Sequence, residues 1–156
     1  MISFSHIGIC VSDIPTSVRF YCNVLEFQKG KLFTSEDTGG SELSSLLGFD
    51  GDLEFQCHFV CKDMLLLELL QFTIPNPVGT ATARPMNKLG FTHLTFRVDE
   101  IDSIAAKVIE YGGTVLGATR TKRLSPGGYN EDVMFCLDPD GTRMELLTLS
   151  DNVKFN

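Results

Sequence analysis

At 156 residues the chain is long enough for one domain with a substantial core and too short for two ordinary ones. Hydrophobic residues at 43% and charged residues at 21% are usual for a globular protein, and a net charge of −7 argues against the basic face of a nucleic-acid binder. No basic, apolar and small-residue series opens the chain, so no secretory signal is expected, and the apolar stretch Met64–Leu70, broken by Glu68, is far below the ~20 residues that cross a membrane.

Residues 4–11 are dense in β-branched and apolar side chains and read as a strand. Ser12 and Asp13 turn the chain, and Pro15 falls in the first helical turn, where its missing N–H does no harm. Val18, Tyr21, Cys22 and Leu25 then recur at helical spacing. Strands are expected near 28–34, 52–61 and 64–72, the last two joined by a turn at Lys62-Asp63. Residues 35–51 form a polar, glycine-containing loop that holds a short helix or strand, and residues 73–90, with three of the six prolines, form a connector.

The second half follows the same order. Residues 91–98 read as a strand, with Asp99 or Asp102 as helix N-cap. Ile104, Ala105, Val108 and Ile109 make a helical face that ends at Gly112-Gly113. Strands are expected at 114–120, 131–137 and 142–149, the last pair joined by Asp138-Pro139-Asp140-Gly141. Each half is therefore βαβββ, with modules at about 1–74 and 88–150 and a connector at 75–87.

The two halves also match residue by residue. Residues 4–25 align with 91–112 at a constant offset, so that His6 falls on His93, Val11 on Val98 and Ile14 on Ile101. A second echo pairs LLLELL around Glu68 with RMELLTL around Glu145. Strand alternation puts Ile7, Ile9 and Val11 on the helix side and His6, Gly8 and Cys10 on the other. It likewise places His93, Thr95 and Arg97 together, Leu66 with Glu68 and Leu70, and Arg143 with Glu145 and Leu147. A glutamate inside LLLELL is costly to bury unless it is paired or bound to metal. Two histidines and two carboxylates, one pair per half, are donors suited to a borderline divalent metal. The alternative for Glu68 is an ion pair with Arg97 or Arg143.

Cys57, His58 and Cys61 make a poor metal site, because His58 points away from the two cysteines on a strand. Five irregularly spaced cysteines read as reduced thiols, which points to the cytoplasm. Arg120, Lys122 and Arg123 precede the glycine-bearing segment Ser125–Tyr129. They form either a mobile cationic loop over an anionic substrate or a merely solvated loop. Arg97, on the side of His93, either steadies a substrate carboxylate or pairs with Glu68.

The segments SHIGICVSDIPTSVRFYCNVL, LLLELL, FTHLTFRVDEID and DPDGTRMELL resemble the vicinal oxygen chelate superfamily, across residues 3–149. That superfamily includes glyoxalase I, methylmalonyl-CoA epimerase, extradiol dioxygenases, fosfomycin-resistance enzymes and bleomycin-binding proteins. The resemblance implies an α+β fold, a single domain over 1–156 whose two βαβββ modules form a cupped, eight-stranded, barrel-like sheet around one metal. His6, Glu68, His93 and Glu145 match the four ligand positions, closest to the bacterial form of glyoxalase I. It implies a lyase or isomerase in which nickel, cobalt, zinc or manganese acts as Lewis acid while Glu68 and Glu145 share ligand and acid–base roles. A small-molecule substrate and a homodimer are implied as well.

One departure concerns the substrate. Glutathione-dependent members carry an arginine four residues past the first ligand and an asparagine four past the second, where this chain has Cys10 and Phe72. A more apolar substrate, or an acyl thioester other than lactoylglutathione, fits these replacements better. The alternatives are an epimerase-like isomerase, an iron-dependent extradiol-type dioxygenase, and a non-catalytic drug-binding protein.

Overall fold

The first half runs as β1 (Ile7–Cys10), α1 (Ile14–Val24), β2 (Gln28–Thr34), α2 (Ser41–Leu46), β3 (Glu54–Lys62) and β4 (Leu65–Ile74). The second runs as β5 (Leu94–Arg97), α3 (Ile101–Glu110), β6 (Thr114–Leu124), β7 (Asn130–Leu137) and β8 (Arg143–Leu149). The computed structural model describes residues 1–38 and 41–149, and the chain divides into units at residues 1–79 and 80–156. The expected loop at 35–51 thus holds a 3-10 turn at Glu36–Thr38 and α2, with residues 39 and 40 outside the described residues.

Each unit builds one mixed four-stranded sheet, in the orders β1-β4-β3-β2 and β5-β8-β7-β6. In both, the first strand lies parallel to the last and the other neighbours are antiparallel. This is the expected α+β architecture of two βαβββ modules. The eight strands pair as two separate sheets, however, and no ladder among the described residues closes them into a barrel.

Local chemistry accounts for the helices. The Asp13 carboxylate accepts the Thr16 N–H at 2.8 Å, satisfying one of the free donors at the start of α1. Hydrogen bonds from Thr16 hold that carboxyl below its ordinary pKa. The inner face of α1 (Ile14, Val18, Phe20, Tyr21 and Val24) is buried over β3 and β4, where Val60, Leu67 and Leu69 are also buried. Each such side chain contributes about 1.5–3 kcal/mol by leaving water.

Helix α3 departs from expectation at its start. Glu100 occupies the N-cap, rather than Asp99 or Asp102, and makes no side-chain cap hydrogen bond. Its buried stripe runs through Ile101 and Val108, while Ile109 is 65% exposed. Ile109, about 100° round the helix from Val108, is turned to the solvent side of that stripe. The end is as expected: Gly112 at φ 87° lets its N–H reach Ile109 O at 3.2 Å and the Gly113 N–H reach Val108 O at 2.8 Å.

Two hairpins set the sheet faces. The β3–β4 turn is Asp63-Met64, one residue later than expected, with Lys62 paired to Leu65 and Asp63 at φ 53°. In the β7–β8 turn, buried Asp138 accepts the N–H groups of Asp140 at 3.0 Å and Thr142 at 2.7 Å. All five cysteines are free thiols. No helix among the described residues is long and apolar enough to cross a membrane.

Candidate metal centre

His6 lies one residue before β1. The parallel register of β1 and β4 sets Gly8 opposite Glu68, and the pleat brings His6 Nε2 to 3.3 Å from Glu68 Oε2. Ser5 Oγ lies 3.0 Å from His6 Nδ1. Phe59, directly across from Glu68 on β3, turns its ring edge to the imidazole, with centroids 5.9 Å apart and planes at 89°. Gly30 on β2 allows the backbones to close there, since a Cβ at that position would stand 2.7 Å from Phe59 O.

The second unit repeats this construction. His93 lies one residue before β5, and Thr95 is opposite Glu145 in the β5–β8 register. His93 Nε2 is 3.4 Å from Glu145 Oε2. Phe135, across from Glu145 on β7, meets the His93 ring at 5.3 Å and 76°. The loop before His93 is pinned by Arg84, which donates to Phe91 O at 2.8 Å and Lys88 O at 2.7 Å.

The copies differ in how each glutamate is held. The Thr95 hydroxyl donates to Glu145 Oε2 at 2.7 Å. Gly8 offers Glu68 no side chain. Instead the buried Cys57 thiol donates to Glu68, and burial together with that neighbouring charge pushes the thiol pKa up to about 11. A thiol is a weak donor, so Glu145 is the more firmly tethered carboxylate.

The donor set suits a divalent metal. Ligands about 2.0–2.2 Å from one metal stand roughly 3–3.5 Å from each other, and both histidine–glutamate pairs have that separation. The His93 Nδ1 is buried without a hydrogen-bond partner among the described residues, a position that calls for a further polar group. Among the described residues no group of three or more His, Cys, Asp or Glu side chains is placed to hold a metal, so each unit supplies a pair.

Arg97 is exposed at the end of β5, opposite Leu147. Strand β6 runs on to Leu124, so Arg120, Lys122 and Arg123 lie on a strand and not on a mobile loop. All three face carboxylates. Arg120 forks onto Asp132 at 2.8 and 3.1 Å and also meets Asp102. Lys122 Nζ is 3.7 Å from Asp132, and Arg123 Nε is 3.0 Å from Glu131. The Arg120 contact lowers the Asp132 pKa. Segment Ser125–Tyr129 is closed by its own bonds, Ser125 N–H to Tyr129 O at 2.7 Å and Tyr129 N–H to Ser125 Oγ at 3.0 Å.

Phe72, one of the two departures, packs with Phe49 and Phe55 at centroid distances of 5.5 and 5.9 Å in an apolar cluster that also takes in Cys57, Phe59 and Leu70. Cys10 is exposed. Phe59, Phe135, Cys57 and Thr95 carry no functional signal in the sequence. Only for Thr95 does strand alternation foreshadow a place beside His93.

Among solved structures, a glyoxalase family protein from Bacillus cereus is similar over 96% of this chain and 95% of its own, with TM-score 0.78 and 16% identity. One from Enterococcus faecalis is similar over 93% and 96%, with TM-score 0.60 and 20% identity. A glutamate-to-glutamine mutant of glyoxalase I from Zea mays is similar over 91% of this chain and 43% of its own, with TM-score 0.59 and 18% identity. These likenesses show the fold. Comparison with curated proteins returned no match. The model of the Glyoxalase/Bleomycin resistance protein/Dioxygenase superfamily matches residues 3–146, nearly the whole chain, and the chain belongs to that superfamily.

Proposed function

We propose that residues 1–156 act as one domain in which modules 1–74 and 88–150 bring His6, Glu68, His93 and Glu145 onto a single nickel, cobalt, zinc or manganese ion, for glyoxalase-like lyase or isomerase chemistry. The observation that carries this reading is the pair of His–Glu contacts, 3.3 and 3.4 Å, at matching positions of the two repeats. When bound, such an ion supplies Lewis-acid polarisation of a substrate carbonyl. Glu145, tethered by Thr95, serves as the steady ligand. Glu68, opposite Gly8, is freer to take the proton from the carbon beside that carbonyl and to return it to its neighbour.

The apolar cluster around Phe72 and Cys57 supports an apolar substrate portion beside Glu68 and argues against glutathione as the handle. Arg97 is proposed to contact the substrate. The ion pairs of Arg120, Lys122 and Arg123 favour a role in stiffening the β6–β7 hairpin over a direct substrate contact.

Elemental analysis and light scattering of one purified sample, before and after stripping and reloading, test the proposal. The expected result is about one ion per chain, in a homodimer. Two ions per chain would mean that each pair binds separately, and a monomer would remove the dimer. Glu145→Ala should lose the metal, and full metal retention in that variant overturns the ligand assignment. Iron as the resident ion would move the chemistry toward oxygen insertion into catechols.

A further inference from the structure

Arg143 differs from Arg120, Lys122 and Arg123. It lies on β8 two residues before Glu145, on the same face of the strand. Its guanidinium carbon sits 5.8 Å from the centroid of Phe135, the ring that also meets His93. Arg143, Phe135, His93 and Glu145 are therefore one cluster. Arg120, Lys122 and Arg123 are each held by an acidic side chain, whereas Arg143 has no acidic partner within ion-pair distance among the described residues. Its Nη1 is buried without a hydrogen-bond partner among the described residues. A charged donor set aside in this way is costly unless an anion or water meets it.

We infer that Arg143 is a specificity-determining residue that receives a carboxylate of the substrate, so that the site selects acids that bear, besides an apolar portion, a second carboxylate near the oxygens held at the metal. The inference rests on the proposed metal site for the position of those oxygens. Three features give it content. A cation–π contact with Phe135 restrains the guanidinium, so its forked donors meet a carboxylate at a smaller loss of side-chain freedom. Positions 143 and 145 share one face of β8, so the guanidinium and the Glu145 carboxylate project from the same side of the sheet. The overall charge of −7 repels anions, so selection for a diacid needs a local cation of this kind.

The probes are malate, which carries a hydroxy-acid end and a distal carboxylate, and lactate, which carries the hydroxy-acid end alone. Affinities are measured calorimetrically on zinc-loaded and metal-free protein, while the Arg143 Nε–H resonance is followed by NMR. Wild-type protein should bind malate roughly tenfold more tightly than lactate, with the Arg143 signal moving only for malate. In Arg143→Gln that ratio should fall to about one while zinc content stays unchanged. Arg143→Lys, which keeps the charge but loses the fork, should recover part of it. A ratio of about one in the wild type, or an undiminished ratio in Arg143→Gln, overturns the inference. If the protein takes up no zinc but the Arg143-dependent preference persists in the metal-free form, the metal reading fails and the assignment of Arg143 stands.

Discussion

Thr95 and Gly8 occupy equivalent places in the two repeats, and their difference makes the two glutamates unequal. Both sit opposite a glutamate in a parallel strand pair, but only Thr95 has a hydroxyl to donate. Groups that orient a metal ligand in this manner typically change metal affinity by 10–100-fold when removed. Thr95→Val, nearly isosteric, should therefore weaken metal binding by roughly tenfold in a competitive chelator titration, and Thr95→Ser should not. Equal affinity in all three proteins would remove the tether. The histidines and glutamates of the site were legible from residue types and from their repeated spacing. Phe59 and Phe135 were not, because an aromatic residue inside a strand looks the same whether it packs a core or braces an imidazole.

The elements show where local pattern suffices and where it does not. α1 and α3 begin at equivalent positions, yet only α1 has a side-chain cap, from Asp13 to the Thr16 N–H. Asp13→Ala should cost about 1 kcal/mol in urea denaturation, whereas Glu100→Ala should stay within about 0.5 kcal/mol. Equal losses would show that the Asp13 contact adds nothing. The acidic residues expected to cap α3, Asp99 and Asp102, lie one place before and two places after the observed N-cap. Strand β6 overruns its expected end at 120 by four residues, to Leu124. Lys122 and Arg123 there face Asp132 and Glu131 across the ladder, and opposite charges in such pairs stabilise a sheet. A run of cations read alone says loop. Its partners lie about ten residues further along the chain, beyond the reach of periodicity.

For the molecule as a whole, acid should be destabilising in two stages. His58 is buried on the helix side of β3, and burial together with nearby Lys29 lowers its pKa below the ordinary 6.5. The unfolded chain therefore binds a proton first as pH falls. The stability due to a neutral His58 is complete above about pH 6.5 and is lost as pH drops toward the lowered folded value. Asp13 and Asp132, both shifted down, add stability above about pH 3.9 that is lost on further acidification. The melting temperature should fall between about pH 7.5 and about pH 5.5, and less steeply in His58→Gln. Parallel slopes in the two proteins would clear His58 of that role.

By itself the sequence determined the two βαβββ modules, the superfamily resemblance that the family match bears out, and the set of residues suited to a metal. Those properties reside in local periodicity and in an internal repeat, both of which can be read along the chain. Only the tertiary structure decided that Thr95 braces Glu145, that Phe59 and Phe135 stand against the two imidazoles, that Arg143 is without an acidic partner among the described residues, and that the strands pair as two separate sheets. Each of these depends on strand register, which joins residues nine to sixty positions apart through backbone hydrogen bonds that no local pattern encodes.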